Sequence, residues 1–157
     1  MAQVCFKKYQ AISDDVQFCC LQDYQLPFCN AGDCYGQPDV VTLNDLIASS
    51  EGIILASPIY NYMFCSSAKN LIELTGQQWR KKVIGFISAA GGHGSYMSTM
   101  SIAGSLMLDF HCLIVPRFVY ATGDSFDQEK GLLTDQEVID RLGVLASDHL
   151  KLSQVQL

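Results

Sequence analysis

The residues best placed to do chemistry lie in two short stretches. Ser57-Pro58-Ile59-Tyr60-Asn61 follows the apolar run Gly52-Ile53-Ile54-Leu55-Ala56, and Ser88-Ala89-Ala90-Gly91-Gly92-His93-Gly94 follows Val83-Ile84-Gly85-Phe86-Ile87. Each joins a buried-strand pattern to a loop at its carboxyl end, which is where open α/β sheets bind ligands. Gly91-Gly92-His93-Gly94-Ser95 before a helix could cradle an anion on backbone N–H groups, though it lacks the lysine of a nucleotide P-loop. His93 invites a proton-transfer role, but a lone histidine among glycines reads first as a solvated loop residue. Cys65 would be a reactive thiol only in surroundings that lower its pKa; the sequence supplies none, so a structural role is expected. Seven cysteines form no CxxC pair and have no histidine at zinc spacing. They read as reduced thiols, with Cys19, Cys20 and Cys112 expected to be small buried hydrophobes.

Stepping from these loops to what must hold them, strand and helix patterns alternate along the chain. Pro58 cannot donate a ladder hydrogen bond, so the central strand is expected to end at Ser57. A helix follows over 68–76, with Ser66 or Ser67 as N-cap and Gly76 as stop. Upstream, Val16-Gln17-Phe18-Cys19-Cys20-Leu21 predicts a strand, and Phe28 to Asp39 a turn-rich loop. Thr42 is the expected N-cap of a helix running to Ser50, with Leu43, Leu46 and Ile47 on its apolar face. Downstream, Ser95 to Leu108 predicts a helix whose Tyr96, Met100, Ala103 and Met107 form a buried stripe. Cys112-Leu113-Ile114-Val115 predicts the last strand, which Phe118-Val119-Tyr120 could continue beyond Pro116. Thr122 to Gly131 reads as exposed. Thr134-Asp135-Gln136-Glu137 is a capping box for a final helix with Val138, Leu142, Leu145 and Leu150 inside. The pattern implies a parallel sheet covered on both faces.

The paired motifs, Ser57-Pro58-Ile59-Tyr60-Asn61 with Ser67-Ala68-Lys69-Asn70-Leu71-Ile72-Glu73 and then Ser88 to Gly94, resemble the NADPH-dependent FMN reductase family of flavodoxin-like proteins. The family's usual glutamate is Ile59 here, and the resemblance runs from about Asp15 to about Arg117. It implies an α/β, flavodoxin-like three-layer sandwich with a parallel sheet. It also implies FMN and NADPH as cofactors, hydride transfer to a small-molecule acceptor such as a quinone or free flavin, and a homodimer. Pro58, Ile59, Tyr60 and Asn61 would line the ribityl and ring side of FMN, and Ala89, Ala90, Gly91 and Gly92 would present backbone to the ring edge. Glycines suit that task because a residue without Cβ lets backbone approach a planar ligand closely. No side-chain catalytic dyad is expected, since the cofactor carries the reactivity.

One departure stands out. The family opens with a strand running into a Ser-x-Arg-x-x-Ser loop that holds the FMN phosphate at a helix N-terminus, and neither is found before Val16. The first strand of the fold is therefore missing. Met1 to Tyr9 reads either as the tail of the first helix or as a strand over Val4-Cys5-Phe6. Either the sequence is a truncated product, or Val4 to Lys8 substitutes imperfectly in the gap, or the Val16 strand moves over to pair directly with the Ile53 strand. Two other functions remain in view: a flavodoxin-like electron carrier, and a degenerate member without flavin that acts by protein association.

Length and composition set the outer limits. The 157 residues are expected to form one domain. With 49% hydrophobic and 17% charged residues the chain is globular and not disordered. The net charge of −6 argues against a nucleic-acid partner, because phosphate neutralisation needs a basic face. No apolar run is long enough for a membrane span, and the N-terminal residues lack a signal-peptide core, so a cytoplasmic address is expected.

Overall fold

The computed structural model describes residues 1–155. Its elements in chain order are α1 (Ala2–Gln10), α2 (Pro38–Ala48), β1 (Gly52–Tyr60), β2 (Met63–Phe64), α3 (Ser66–Thr75), β3 (Val83–Ala89), α4 (Thr99–Phe110), β4 (Leu113–Ile114), β5 (Val119–Ala121) and α5 (Gln136–Ser153), with short 3-10 turns between some of them. As expected, β1 and β3 are adjacent and parallel, Gly52 facing Val83 through Pro58 facing Ala89. β3 then pairs in parallel with β4 and, further along, with β5. The proline at 116 interrupts the last edge and splits it in two.

Two apolar layers sandwich this sheet. Leu43 and Ile47 of α2, Leu71 and Ile72 of α3, and Ile102, Ala103, Leu106 and Phe110 of α4 pack with Leu55, Ile59 and Phe86 on one face. On the other, Cys5 and Tyr9 of α1 meet Val138, Leu142, Leu145 and Ala146 of α5 over Val83 and Ile87. The result is the flavodoxin-like α/β sandwich.

Several local expectations are corrected. β1 does not stop at Ser57. Pro58 falls at a position whose backbone faces away from β3, so its lack of an N–H costs the ladder nothing, and the strand continues to Tyr60. There it turns through Asn61 and Tyr62, both at positive φ (49° and 66°), into β2, a hairpin turn of the mirror-image type. α2 begins at Pro38, a proline in the first turn, and the Thr42 hydroxyl merely donates to the Pro38 carbonyl inside the helix. The cap of α3 is Cys65, one residue before the serines. The cap of α5 is Asp135, whose carboxylate accepts the Val138 N–H, one residue after Thr134.

Two corrections bear on function. Val16 to Leu21 forms no strand; Phe18 and Cys19 are exposed, and Leu21–Asp23 is a 3-10 turn. Its strand-like composition is not matched by any pairing in the sheet. The second concerns α4, which begins at Thr99 after a 3-10 segment and buries Thr99, Ile102, Ala103, Leu106 and Phe110. Of the expected core stripe Ala103 is buried, whereas Tyr96, Met100 and Met107 are exposed. Both faces of this helix are apolar, and spacing alone cannot say which is turned inward. In the loop after β5, Thr122 and Ser125 are buried, contrary to the polar reading.

Candidate functional site

The register of the sheet brings the two motif loops together. Pro58 lies opposite Ala89 in the β1–β3 ladder, so the hairpin turn after β1 and the glycine segment after β3 leave the sheet side by side at its carboxyl edge. Tyr60 is 63% exposed and Tyr62 50% exposed there, while Ile59 is buried in the core and pairs with Phe64 of β2. Ile59 thus fixes the hairpin from below.

The glycine segment is held from one side and open on the other. The Ala90 N–H donates to the Ala121 carbonyl at 3.0 Å, and the Tyr120 hydroxyl donates to the Gly92 carbonyl. Tyr96 stands edge-on to the Tyr120 ring, with centroids 5.7 Å apart. A Cβ built on Gly91 or Gly92 would meet nothing within 4 Å, so open space lies above both backbones. Tyr120, which holds the glycine segment, was not singled out from the sequence, because its partner is a backbone carbonyl far along the chain. Ser88, Ser98 and Thr99 surround this segment in sequence, and their buried hydroxyls have no hydrogen-bond partner.

The hairpin is anchored by Ser57 and Cys65. The Cys65 N–H donates to the Ser57 hydroxyl oxygen at 3.0 Å, and the Cys65 sulfur lies 3.2 Å from Ser57 Oγ and 3.1 Å from Ser67 Oγ. Burial alone pushes the Cys65 thiol up, but hydrogen bonds from Ser57, Ser67 and the first amides of α3 outweigh it and hold the thiol below its ordinary value. Nothing in the sequence around Cys65 points to such a shift. The helix start provides it.

Tested against FMN, the site fits in one half. An exposed tyrosine beside an open glycine shelf suits a flat ring. The phosphate half is not met in these two loops: neither Gly52 to Met63 nor Ser88 to Met100 contains a lysine or arginine, and the first amides of α3 already serve Cys65. Among the described residues no group of three or more histidine, cysteine or acidic side chains could hold a metal ion, and no helix is long and apolar enough to cross a membrane.

Residues 1–127 match the family of NADPH-dependent FMN reductases. The chain is 30% identical over 135 residues to an NAD(P)H-dependent FAD/FMN reductase of Geobacillus thermodenitrificans, covering 84% of this chain and 72% of that one. It is 30% identical over 112 residues to an NAD(P)H:quinone oxidoreductase of Solanum tuberosum, covering 67% of this chain and 57% of that one. Among solved structures, the apo form of an NADH:FMN oxidoreductase superposes with a TM-score of 0.71 at 17% identity, over 99% of this chain and 83% of that one. The NAD(P)H:(acceptor) oxidoreductase FerB of Paracoccus denitrificans superposes with 0.65 at 17% identity, over 95% and 91%. With the motif loops, the sheet order and the match over most of its length in agreement, the chain belongs to the NADPH-dependent FMN reductase family.

Proposed function

We propose that the protein is an FMN-dependent NAD(P)H oxidoreductase acting on a small acceptor, a quinone or a free flavin, in the cytoplasm. FMN, when bound, would take hydride from NADPH and pass it on. The observation that carries the reading is the Pro58–Ala89 register, which sets an exposed Tyr60 beside an open Gly91–Gly92 backbone. Pro58, Tyr60 and Asn61 would bound the ring on one side. Ala89, Ala90, Gly91 and Gly92 would offer backbone on the other, kept in place by Tyr120. Ile59 supports the slot from the core.

The same reading includes a homodimer. Tyr60, Tyr62 and Met63 are exposed on the hairpin, and Met63 Sδ accepts from Ser101 of α4 at 3.6 Å, joining the hairpin to the outward face of that helix. Met97, Met100, Met107 and Leu108 extend that apolar surface. Methionines and tyrosines gathered in this way are typical of interface cores.

Purified protein reconstituted with FMN should oxidise NADPH only when a quinone or free flavin is present, and sedimentation at micromolar concentration should give a dimer. Flavin-independent or absent NADPH oxidation would refute the enzymatic reading and leave protein association as the function. A monomer would refute the dimer alone.

A further inference from the structure

Two of the seven cysteines meet across a tight turn. Cys29 and Cys34 pack in one small apolar cluster with Val40 and Leu74, and both thiols are free. The Asn30 N–H, the amide directly after Cys29, donates to the Cys34 sulfur at 3.4 Å. The Cys34 sulfur is thereby held against the backbone of Cys29. Conversely, the Cys29 sulfur lies 3.5 Å from the hydroxyl of Tyr35, the residue directly after Cys34, and its thiol is a hydrogen-bonding neighbour of Cys34. The chain reversal between them is fixed by the turn. Asn30 Oδ1 accepts the Gly32 N–H at 3.0 Å, Asn30 Nδ2 donates to Asp33 Oδ1 at 2.8 Å, and Ala31 takes a positive φ of 57°. Cysteines whose side chains already touch satisfy the proximity that a disulfide demands.

The two sulfurs differ in access. Cys34 is 2% exposed, whereas Cys29 is half-buried and lines a cavity of about 700 Å³ with Tyr35, Lys69, Glu73 and Asp109. A small molecule in solvent therefore reaches Cys29 and not Cys34. Burial pushes the Cys34 thiol up, yet the N–H groups of Asn30 and Gly32, the Cys29 thiol and the Ala31 N–H together outweigh it and hold the thiol below its ordinary value. An accessible sulfur beside a sheltered one whose thiolate is stabilised suits thiol–disulfide exchange, in which the first meets the oxidant and the second resolves. The other cysteines lack this pairing. Cys5 and Cys112 lie in opposite layers of the sandwich, where burial pushes each thiol up to about 11, and the Cys65 sulfur has serine hydroxyls beside it.

We propose that Cys29 and Cys34 form a redox-active dithiol, oxidised to an intramolecular disulfide by a small-molecule disulfide of the glutathione class and independent of the flavin chemistry proposed above. The Cys29 thiolate attacks one sulfur of the small disulfide, so that a mixed disulfide forms and one thiolate leaves. The Cys34 thiolate then attacks the Cys29 sulfur, forming the Cys29–Cys34 bond and releasing the second thiolate. The dithiol gives up two protons and two electrons, and the small disulfide is reduced to two thiols. In the oxidised form the Cys29 sulfur gives up the Tyr35 hydroxyl and the Glu73 carbonyl. The Cys29 N–H keeps Asn70 Oδ1 as its acceptor, at 2.9 Å, and Asn70 Nδ2 keeps the Pro27 carbonyl, so α3 holds the loop in both states.

Cleavage by chymotrypsin after Phe28 and Tyr35 releases residues 29–35, a peptide holding these two cysteines and no other. The folded protein is incubated with oxidised glutathione, quenched in acid, alkylated with iodoacetamide in denaturant and digested, and the mass of this peptide is read. It should carry no alkyl group and be lighter by two hydrogens, and dithiothreitol before alkylation should return it to the doubly alkylated form. Cys34→Ser should trap glutathione on Cys29. Cys29→Ser should leave Cys34 free of glutathione, and its alkylation should be about tenfold or more slower in the folded protein than in urea. Should Cys34→Ser fail to fold, Cys34→Ala keeps a small apolar side chain there and serves the same purpose, and the wild-type peptide decides in either case. A doubly alkylated wild-type peptide after oxidised glutathione would overturn the proposal. So would glutathione retained on Cys29 in the wild type, or its absence from Cys29 in the folded Cys34 variant.

Discussion

The hydroxyl of Tyr9 lies 3.1 Å from Nδ1 of His149, joining the first helix to the last across 140 residues of sequence. Nε2 of the same ring is 3.2 Å from the Val83 carbonyl, which can only accept, so Nε2 carries the proton and Nδ1 receives the tyrosine O–H. Burial pushes the Tyr9 hydroxyl up to about 12, with Cys5 and Asp15 adding to the shift, so it remains a donor. Burial likewise lowers His149 to about 4, only partly opposed by the Val83 and Ile53 carbonyls.

That shift makes stability depend on pH with a definite sign. The unfolded chain takes a proton on His149 below its ordinary value of 6.5, while the native chain refuses it down to about 4. The stabilisation is complete above pH 6.5 and is lost as pH falls through that window, by on the order of 3 kcal/mol in all. Urea unfolding at steps from pH 7.5 to 4.5 should show the decline, and His149→Gln should flatten it. An equally steep decline in the variant would remove His149 as the cause.

Gly52 allows that histidine to sit where it does. A Cβ at 52 would stand 2.6 Å from His149 Cε1 and closer still to Ser153 Oγ, because the His149 ring and the Ser153 hydroxyl of α5 are pressed against β1. Gly52→Ala should destabilise the protein by roughly 1–3 kcal/mol, the ordinary range for overpacking. Thermal unfolding measures it. Gly104→Ala, where a Cβ meets nothing within 4 Å, is the matching control and should be neutral or slightly stabilising.

The sheet and the side-by-side placement of the two motif loops were legible in the sequence because aliphatic runs such as Val83 to Ile87 bury on both faces wherever they pair. What could not be read was anything decided by a neighbour distant in sequence. Val16 to Leu21 has the composition of a strand, and only the sheet reveals that it joins no ladder. The apolar faces of α4 compete on equal terms, and packing chose Ile102 and Leu106 over Met100 and Met107. Cys65 acquired its lowered pKa from a helix start and two serines that converge only after β1 turns back on itself.

Tyr120 is expected to act on the site through Gly92. Tyr120→Phe removes the hydroxyl that holds the Gly92 carbonyl while keeping the ring against Tyr96. The cost of a lost hydrogen bond is about 1 kcal/mol, and if it falls on the ordering of the loop, flavin affinity should drop by roughly fivefold. Flavin titration of both proteins tests this. A fall in unfolding stability with no change in affinity would assign Tyr120 a purely structural role.

The final prediction concerns the ligand's phosphate. In the proposed site an exposed Tyr60 and the open Gly91 and Gly92 would receive the ring, whereas no lysine or arginine accompanies either loop and the α3 amides are engaged by Cys65. A dianionic phosphate without such partners forgoes several charge-assisted hydrogen bonds, each worth about 1.5–3 kcal/mol. Two of them amount to a factor on the order of a hundred or more in affinity. The chain should therefore bind FMN little better than riboflavin when both are titrated by fluorescence quenching at the same ionic strength. Nanomolar FMN binding far tighter than that of riboflavin would mean that the protein supplies a phosphate site from residues outside these two loops.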